Sequence, residues 1–167
     1  MEENTTNIIG AATSDDRDEI LRLYKLQLGR EYCPWDEHYP GTGEIDYDLS
    51  RNALFVMKEK DGRVIASVSI DKDENVEALE CWSPELAPGG ELSRLAVHPE
   101  CQNRGIAVKM LKAGMEELKK RGYRSIHFLV NKNNLKAIKS YNKLKFNVVG
   151  ECDLYEQPFL CYEKKLV

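Results

Sequence analysis

The chain has no CxxC pair, and its cysteines are odd in number: Cys33, Cys81, Cys101, Cys152 and Cys161 in 167 residues. A disulfide framework or zinc ribbon needs paired or closely spaced thiols, so neither is expected. These cysteines read as reduced, packed thiols. No apolar run approaches the roughly 20 residues that cross a bilayer, which excludes a helical membrane protein. The opening stretch MEENTTNIIGAATSDD lacks a basic n-region and a long apolar h-region. A signal peptide is therefore not expected, and the expected address is cytoplasmic. GxGxxG is absent, and no GKS or GKT completes a Walker loop. Apolar residues make up 42% and charged residues 31%, a balance that supports a packed core. At this length one domain over 1–167 is the expectation.

The net charge of −4 conceals an asymmetry. Residues 1–100 carry 10 Lys+Arg against 22 Asp+Glu, whereas 101–145 carry 12 against 2. A basic block inside an acidic protein points to an anionic ligand at that block. Nucleic acid is the second candidate. The acidic remainder argues against it, because it would repel a long phosphate track.

No repeat or linker divides the chain. Ile8–Ala12 reads as a strand, and Thr13-Ser14-Asp15-Asp16 as a helix start with a hydroxyl cap and early acids. Ile20, Leu23, Tyr24 and Leu28 then recur at helical spacing over about four turns, with Gly29 as the stop. Glu31–Gly43 is broken by Pro and Gly, and a short helix is expected around Glu44–Arg51. Ala53–Lys58 and Arg63–Ile70 read as strands joined by Lys60-Asp61-Gly62. Residues 71–90 carry no readable period. Glu91–Val97 is a strand and Asn103–Arg121 a helix with Ala107, Met110, Leu111, Gly114 and Leu118 in one stripe. Ser125–Val130, Asn134–Leu144, Phe146–Glu151 and Pro158–Leu166 follow as strand, helix, strand and strand. The sum is an α/β chain with a mixed sheet.

The stretch richest in chemistry runs from Glu91 through His98-Pro99 to Gln102-Asn-Arg-Gly105-Ile-Ala107. A strand ends, a short turn follows and a helix opens. Helix openings expose unpaired N–H groups with about half a positive charge, and small residues at 105 and 107 let a ligand approach the backbone. A pyrophosphate is the natural guest.

These residues resemble the GNAT superfamily of acetyl-CoA-dependent N-acetyltransferases. Gln102–Ala107 matches that family's (Q/R)-x-x-G-x-(G/A) signature, and Leu95–Pro99 its "LAVHP"-type strand. Asn134 and Tyr141 stand seven apart, as in the family, ahead of Phe146. The resemblance implies a mostly antiparallel sheet of six to seven strands flanked by about four helices. It implies acetyl-CoA as co-substrate, no metal, and acetyl transfer to a primary amine by direct attack in a ternary complex. Leu95, Ala96 and Val97 would pair with the pantetheine arm. Gln102, Asn103, Arg104, Gly105, Ile106, Ala107 and Val108 would form the pyrophosphate loop, with Asn134 as a further cofactor contact or a helix cap. Arg104, Lys109, Lys112, Lys136 and Lys139 are available to screen its charge.

Tyr141 is the candidate general acid for the departing thiolate, against a reading as a half-buried core tyrosine. Glu91 is the candidate base, against a reading as a strand-edge carboxylate in water; Asp36, Glu37 and His98 are the alternatives. His98 and His127 read as structural. Trp35, Asp36, Glu37 and Tyr39 are candidates for holding a cationic acceptor, a small amine or a peptide or protein amine. A homodimer fits the family. Two rival functions are a non-catalytic acyl-CoA sensor and a nucleic-acid module on the basic block. One departure is Lys145, where the family has a glycine ending the helix in a left-handed conformation.

Overall fold

The computed structural model describes residues 7–31 and 33–167. The first six residues of the opening stretch and Tyr32 of the 31–43 segment lie outside them. Among the described residues seven strands form one mixed sheet in the order β1-β2-β3-β4-β5-β7-β6. The strands are β1 Ile8–Ala11, β2 Leu54–Lys58, β3 Val64–Asp71, β4 Gly89–Val97, β5 Ser125–Asn131, β6 Asn147–Leu154 and β7 Gln157–Lys165. Five α-helices accompany them among the described residues: α1 Arg17–Lys25, α2 Thr42–Ser50, α3 Glu74–Glu77, α4 Ile106–Lys120 and α5 Leu135–Lys143. The fifth, beyond the four expected, is the single turn α3, in the stretch whose sequence carries no period. The chain divides into two compact units, one of residues up to Ile70 with Ser93–Gly114, the other of Asp71–Leu92 with Met115–Val167.

In the first unit β1, β2 and β3 run antiparallel in turn. The 14–29 helical segment begins as a 3-10 turn, because Thr13 accepts from the Asp15 N–H while Asp16 accepts from the Thr13 N–H at 2.9 Å. It ends at Gly29, whose φ of +79° suits glycine. Ile20, Leu23 and Tyr24 of α1 bury against Ile45 of α2, Leu54, Val56 and Val64 of the hairpin and Ala96 of β4. Trp35 closes this core edge-on to Tyr24, ring centroids 5.5 Å apart.

In the second unit the first residues of β4 run parallel to β5, pairing Gly89 with Ser125, Gly90 with Ile126 and Glu91 with His127. β7 lies antiparallel between β5 and β6. Phe128, Tyr141, Phe146 and Tyr162 form an aromatic cluster between α5 and this part of the sheet. The β6–β7 turn is Tyr155-Glu156, both left-handed at φ of +52° and +62°. A two-residue turn of that shape prefers Gly or Asn, so the sequence gives no sign of it and the expected strand stops short at Glu151.

Candidate functional site

In the first unit, β4 leads into the loop that opens α4. Arg94 interrupts β4 with a φ of +50°, a left-handed residue inside a strand. Its guanidinium meets Asp48 of α2 through both carboxylate oxygens, at 3.1 and 3.0 Å, and donates to the Tyr39 hydroxyl at 3.1 Å. The Asp48 side chain is fully buried, and that of Arg94 is 6% exposed. Arg51 adds a second guanidinium to Asp48. A buried carboxylate is tolerable only when paired, so this network fixes where β4 turns. Along Glu-Leu-Ser-Arg-Leu-Ala-Val the polar–apolar alternation breaks at Arg94, and that break is the one sequence signal of the turn.

Beyond Arg94, the Val97 carbonyl accepts side-chain amides from Gln27 at 3.0 Å and Gln102 at 3.1 Å. Gln102, the first residue of the signature, thus ties the loop back to the strand. His98 caps the next turn, its Nδ1 accepting the Glu100 N–H at 3.1 Å, which is a structural role. Asn103 and Gly105 are both left-handed, at +63° and +75°. That alternation delays the helix from the expected Asn103 to Ile106. It also makes a concave run of backbone N–H groups of the kind that binds anions. The first helical bond here is Lys109 N–H to the Gly105 carbonyl. The N–H groups of Ile106, Ala107 and Val108 precede it at the positive end of α4. A Cβ on Gly105 would meet nothing within 4 Å, so no protein packing demands glycine there beyond its φ. Arg104, Ala107, Lys109 and Lys112 are exposed.

The proposed acceptor residues have diverse roles. Trp35 is largely core. The Asp36 carboxylate is engaged in its own turn, accepting the N–H groups of His38 at 2.7 Å and Tyr39 at 2.9 Å. Glu37 and His38 line a wide, open depression with Lys25, Thr42 and Glu44. Tyr39 keeps an exposed ring while its hydroxyl serves Arg94.

In the second unit, Glu91 is buried at 6% exposure, which corrects the reading of a strand-edge carboxylate in water. It pairs in register with His127, and His127 with Glu163 of β7. Residues in direct register share a face of the sheet, so the three form one buried row. Trp82 stacks on the His127 ring with centroids 4.4 Å apart. Ser83 gives Glu163 two bonds, from its N–H at 2.9 Å and its hydroxyl at 2.6 Å. Burial lowers the His127 pKa to about 4, so the imidazole is neutral at ordinary pH. A core histidine was the expectation; its setting between two glutamates has no sequence signal.

Asn134 caps α5, its Oδ1 accepting the Ala137 N–H at 3.1 Å. Tyr141 packs its ring against Phe128, Phe146 and Tyr162. Burial, with a smaller contribution from Tyr162, pushes its phenol up to about 12. It therefore stays protonated across the working range. Among the described residues no group of three or more His, Cys, Asp or Glu is placed to hold a metal ion, and no helix is long and apolar enough to cross a membrane.

The chain belongs to the acetyltransferase (GNAT) family, whose profile matches residues 17–146. It is 28% identical over 149 residues to an uncharacterized N-acetyltransferase of Methanocaldococcus jannaschii, covering 84% of this chain and 61% of the relative. The chain thus spans under two thirds of that relative's length. It is 27% identical over 142 residues to an N-alpha-acetyltransferase of Saccharolobus solfataricus, covering 83% and 78%. In fold it is similar to the ribosomal-protein-S18-alanine N-acetyltransferase of Escherichia coli, with a TM-score of 0.72, 17% identity and 96% and 94% of the two chains covered. A Salmonella typhimurium acetyltransferase solved with acetyl-CoA superposes at a TM-score of 0.71, with 18% identity and 98% and 95% covered.

Proposed function

We propose that the chain transfers acetyl from acetyl-CoA to a primary amine by direct attack in a ternary complex. The observation that carries this reading is the loop of left-handed Asn103 and Gly105 at the opening of α4. Its N–H groups suit a pyrophosphate, and exposed Arg104 and Lys109 add positive charge. Leu95 and Ala96 would pair with the pantetheine arm. The Val97 carbonyl already accepts two amides, so only the N–H of Val97 would take part. Asn134, already a cap, would add a contact. Acetyl-CoA supplies a thioester, an acyl group activated toward amines.

In this reading Glu91 takes the proton of the incoming ammonium, because an alkylamine with a pKa of about 10.4 is mostly protonated at neutral pH. The amine nitrogen forms its bond to the acyl carbon, the carbon–sulfur bond breaks, and the second proton lost by the nitrogen as the amide forms ends on the released thiolate. Tyr141 gives its phenolic proton, or first a hydrogen bond, to the leaving thiolate. A phenol near 12 holds its proton more tightly than a thiol of about 8.5, so the contribution of Tyr141 is chiefly a hydrogen bond to the sulfur as its negative charge develops. Trp35, Glu37 and Tyr39 would contact the acceptor, and the cytoplasm would be its place of action. The S. solfataricus relative favours a protein N-terminal amine as the first acceptor to test. The test is release of free CoA thiol with pooled peptides and small amines. Thiol release matched by acetylated amine supports the reading. Acetyl-CoA binding with no transfer to any amine would make the chain a sensor instead.

A further inference from the structure

Three of the five cysteines meet on one face of the β6–β7 hairpin. Cys161 of β7 is fully buried and pairs in register with Gly150 of β6. Cys152 stands two residues along β6, on the same face, with its Sγ 4.0 Å from the Cys161 Sγ. The third thiol arrives from the segment after α3. A Cβ on Gly150 would lie 2.7 Å from the Cys81 Cβ, 3.4 Å from its Sγ and 4.0 Å from the Cys161 Sγ. Gly150 therefore lacks a side chain where Cys81 lies down on the hairpin, and Cys81 comes within interaction range of Cys161. Cys81 and Cys152 are partly exposed.

The residues that follow Cys81 cover the buried row of the second unit. Trp82 stacks on His127 and donates its indole N–H to the Val76 carbonyl at 2.8 Å, while Ser83 is bonded twice to Glu163. Whatever fixes Cys81 to β7 also fixes this cover.

We propose that the three thiols form an oxidation site, at which a peroxide converts Cys81 and Cys161 into a disulfide. The Cys81 sulfur attacks the peroxide, an S–O bond forms, the O–O bond breaks, and an alcohol or water leaves. The Cys161 sulfur then attacks the Cys81 sulfenic acid, the S–O bond breaks, and hydroxide departs as water with the Cys161 proton. Two thiols and one peroxide become one disulfide, one alcohol or water, and one further water. The sulfurs lose two electrons and the peroxide gains them. Cys81 is the entry point because burial pushes the thiols of Cys161 and Cys152 up and makes them poor first nucleophiles. Cys81 and not Cys152 is the partner because Cys152 and Cys161 are diagonal neighbours in a hairpin. In a regular pair such Cα atoms are about 7–8 Å apart, beyond the roughly 4.4–6.8 Å that a disulfide spans. Cys81, in a loop, can adjust.

The test treats the intact protein with hydrogen peroxide, alkylates the remaining thiols in denaturant and maps the peptides without reduction. The expected result is a Cys81–Cys161 cross-linked peptide and the loss of two free thiols, both reversed by dithiothreitol. Cys152→Ser should keep the cross-link. Cys81→Ser, at a partly exposed position, should abolish it. Amide exchange of residues 81–83 should slow in the oxidised protein and recover on reduction. Five intact thiols, a Cys152–Cys161 linkage, over-oxidation of Cys81 with Cys161 still alkylated, or unchanged exchange would each overturn the proposal. None of these readouts depends on acetyl transfer, so the result stands apart from the proposed activity.

Discussion

The backbone carbonyl of Tyr141 accepts the N–H of Phe146 at 3.1 Å, and their rings meet edge to face with centroids 5.7 Å apart. The Lys145 N–H completes the closure by donating to the Asn142 carbonyl at 3.1 Å. This is a Schellman cap, with the hydrophobic contact that accompanies it. The residue at its left-handed position is Lys145, at φ of +65°. The helix thus ends as a glycine would end it, but with a lysine.

Relief of that Cβ strain should be measurable. Lys145→Gly should stabilise the protein by about 1 kcal/mol. Urea denaturation checks it, with an unchanged m-value expected. Destabilisation would show that the Lys145 side chain contributes more than its strain costs.

His127 should give stability an acid limb. Its folded pKa of about 4 lies below the ordinary histidine value of 6.5, so the unfolded chain binds the proton more readily between those values. The contribution is complete above about 6.5 and is lost as pH falls through 4. It amounts to about 3 kcal/mol at most. His127→Gln should therefore flatten the stability profile between pH 6.5 and 4, as read by denaturation at a series of pH values. A profile parallel to wild type would mean that the histidine charges freely in the folded state.

The Asp48–Arg94 pair predicts a large loss on removal of one partner. Asp48→Ala strands a buried guanidinium and should cost about 3–5 kcal/mol. Arg94→Lys should itself cost stability, because Asp48 and Tyr39 are met by two different guanidinium nitrogens and an ammonium offers only one. A cost below about 1 kcal/mol would show that the pair is dispensable for the turn in β4.

The two proposed proton-transfer residues should fail differently. Tyr141→Phe keeps the ring packing and should lower kcat by about 10²–10³-fold while acetyl-CoA affinity changes little. Glu91→Gln should show a defect that shrinks as pH approaches the pKa of the acceptor amine. A pH–rate series on both variants separates the roles. Full turnover in Tyr141→Phe would leave the tyrosine as packing, and a flat defect in Glu91→Gln would make that residue structural.

Local features were the legible ones. The signature, the Thr13 cap and the Asp61-Gly62 turn are each encoded within a few neighbouring residues, so the sequence displays them. The order of strands and helices was legible for the same reason, since period and punctuation are local. The left-handed turn at Arg94 depends on Asp48, 46 residues away in sequence. The Glu91–His127–Glu163 row depends on strand register, and the thiol cluster on the folding of residue 81 over Gly150. Such partners are chosen by topology and leave no spacing to read. Buried Glu91 is an example: the sequence offers it as a base or as an edge carboxylate in water, and its burial follows from the pairing of β4 with β5 and the cover laid over that row by Trp82 and Ser83.

If the opening of α4 holds the phosphates of acetyl-CoA, calorimetry must separate wild type from Ala107→Glu. Ala107 is exposed in the first turn of α4, where a carboxylate should leave the helix as stable or up to about 1 kcal/mol more stable. The same carboxylate would repel a pyrophosphate. Saturable one-site binding of acetyl-CoA by wild type, abolished in a folded Ala107→Glu protein, is the predicted result. Gly105→Val should behave alike, with some added strain at its left-handed φ. Equal affinity in wild type and Ala107→Glu, or no binding by wild type, would remove the phosphate site from the opening of α4.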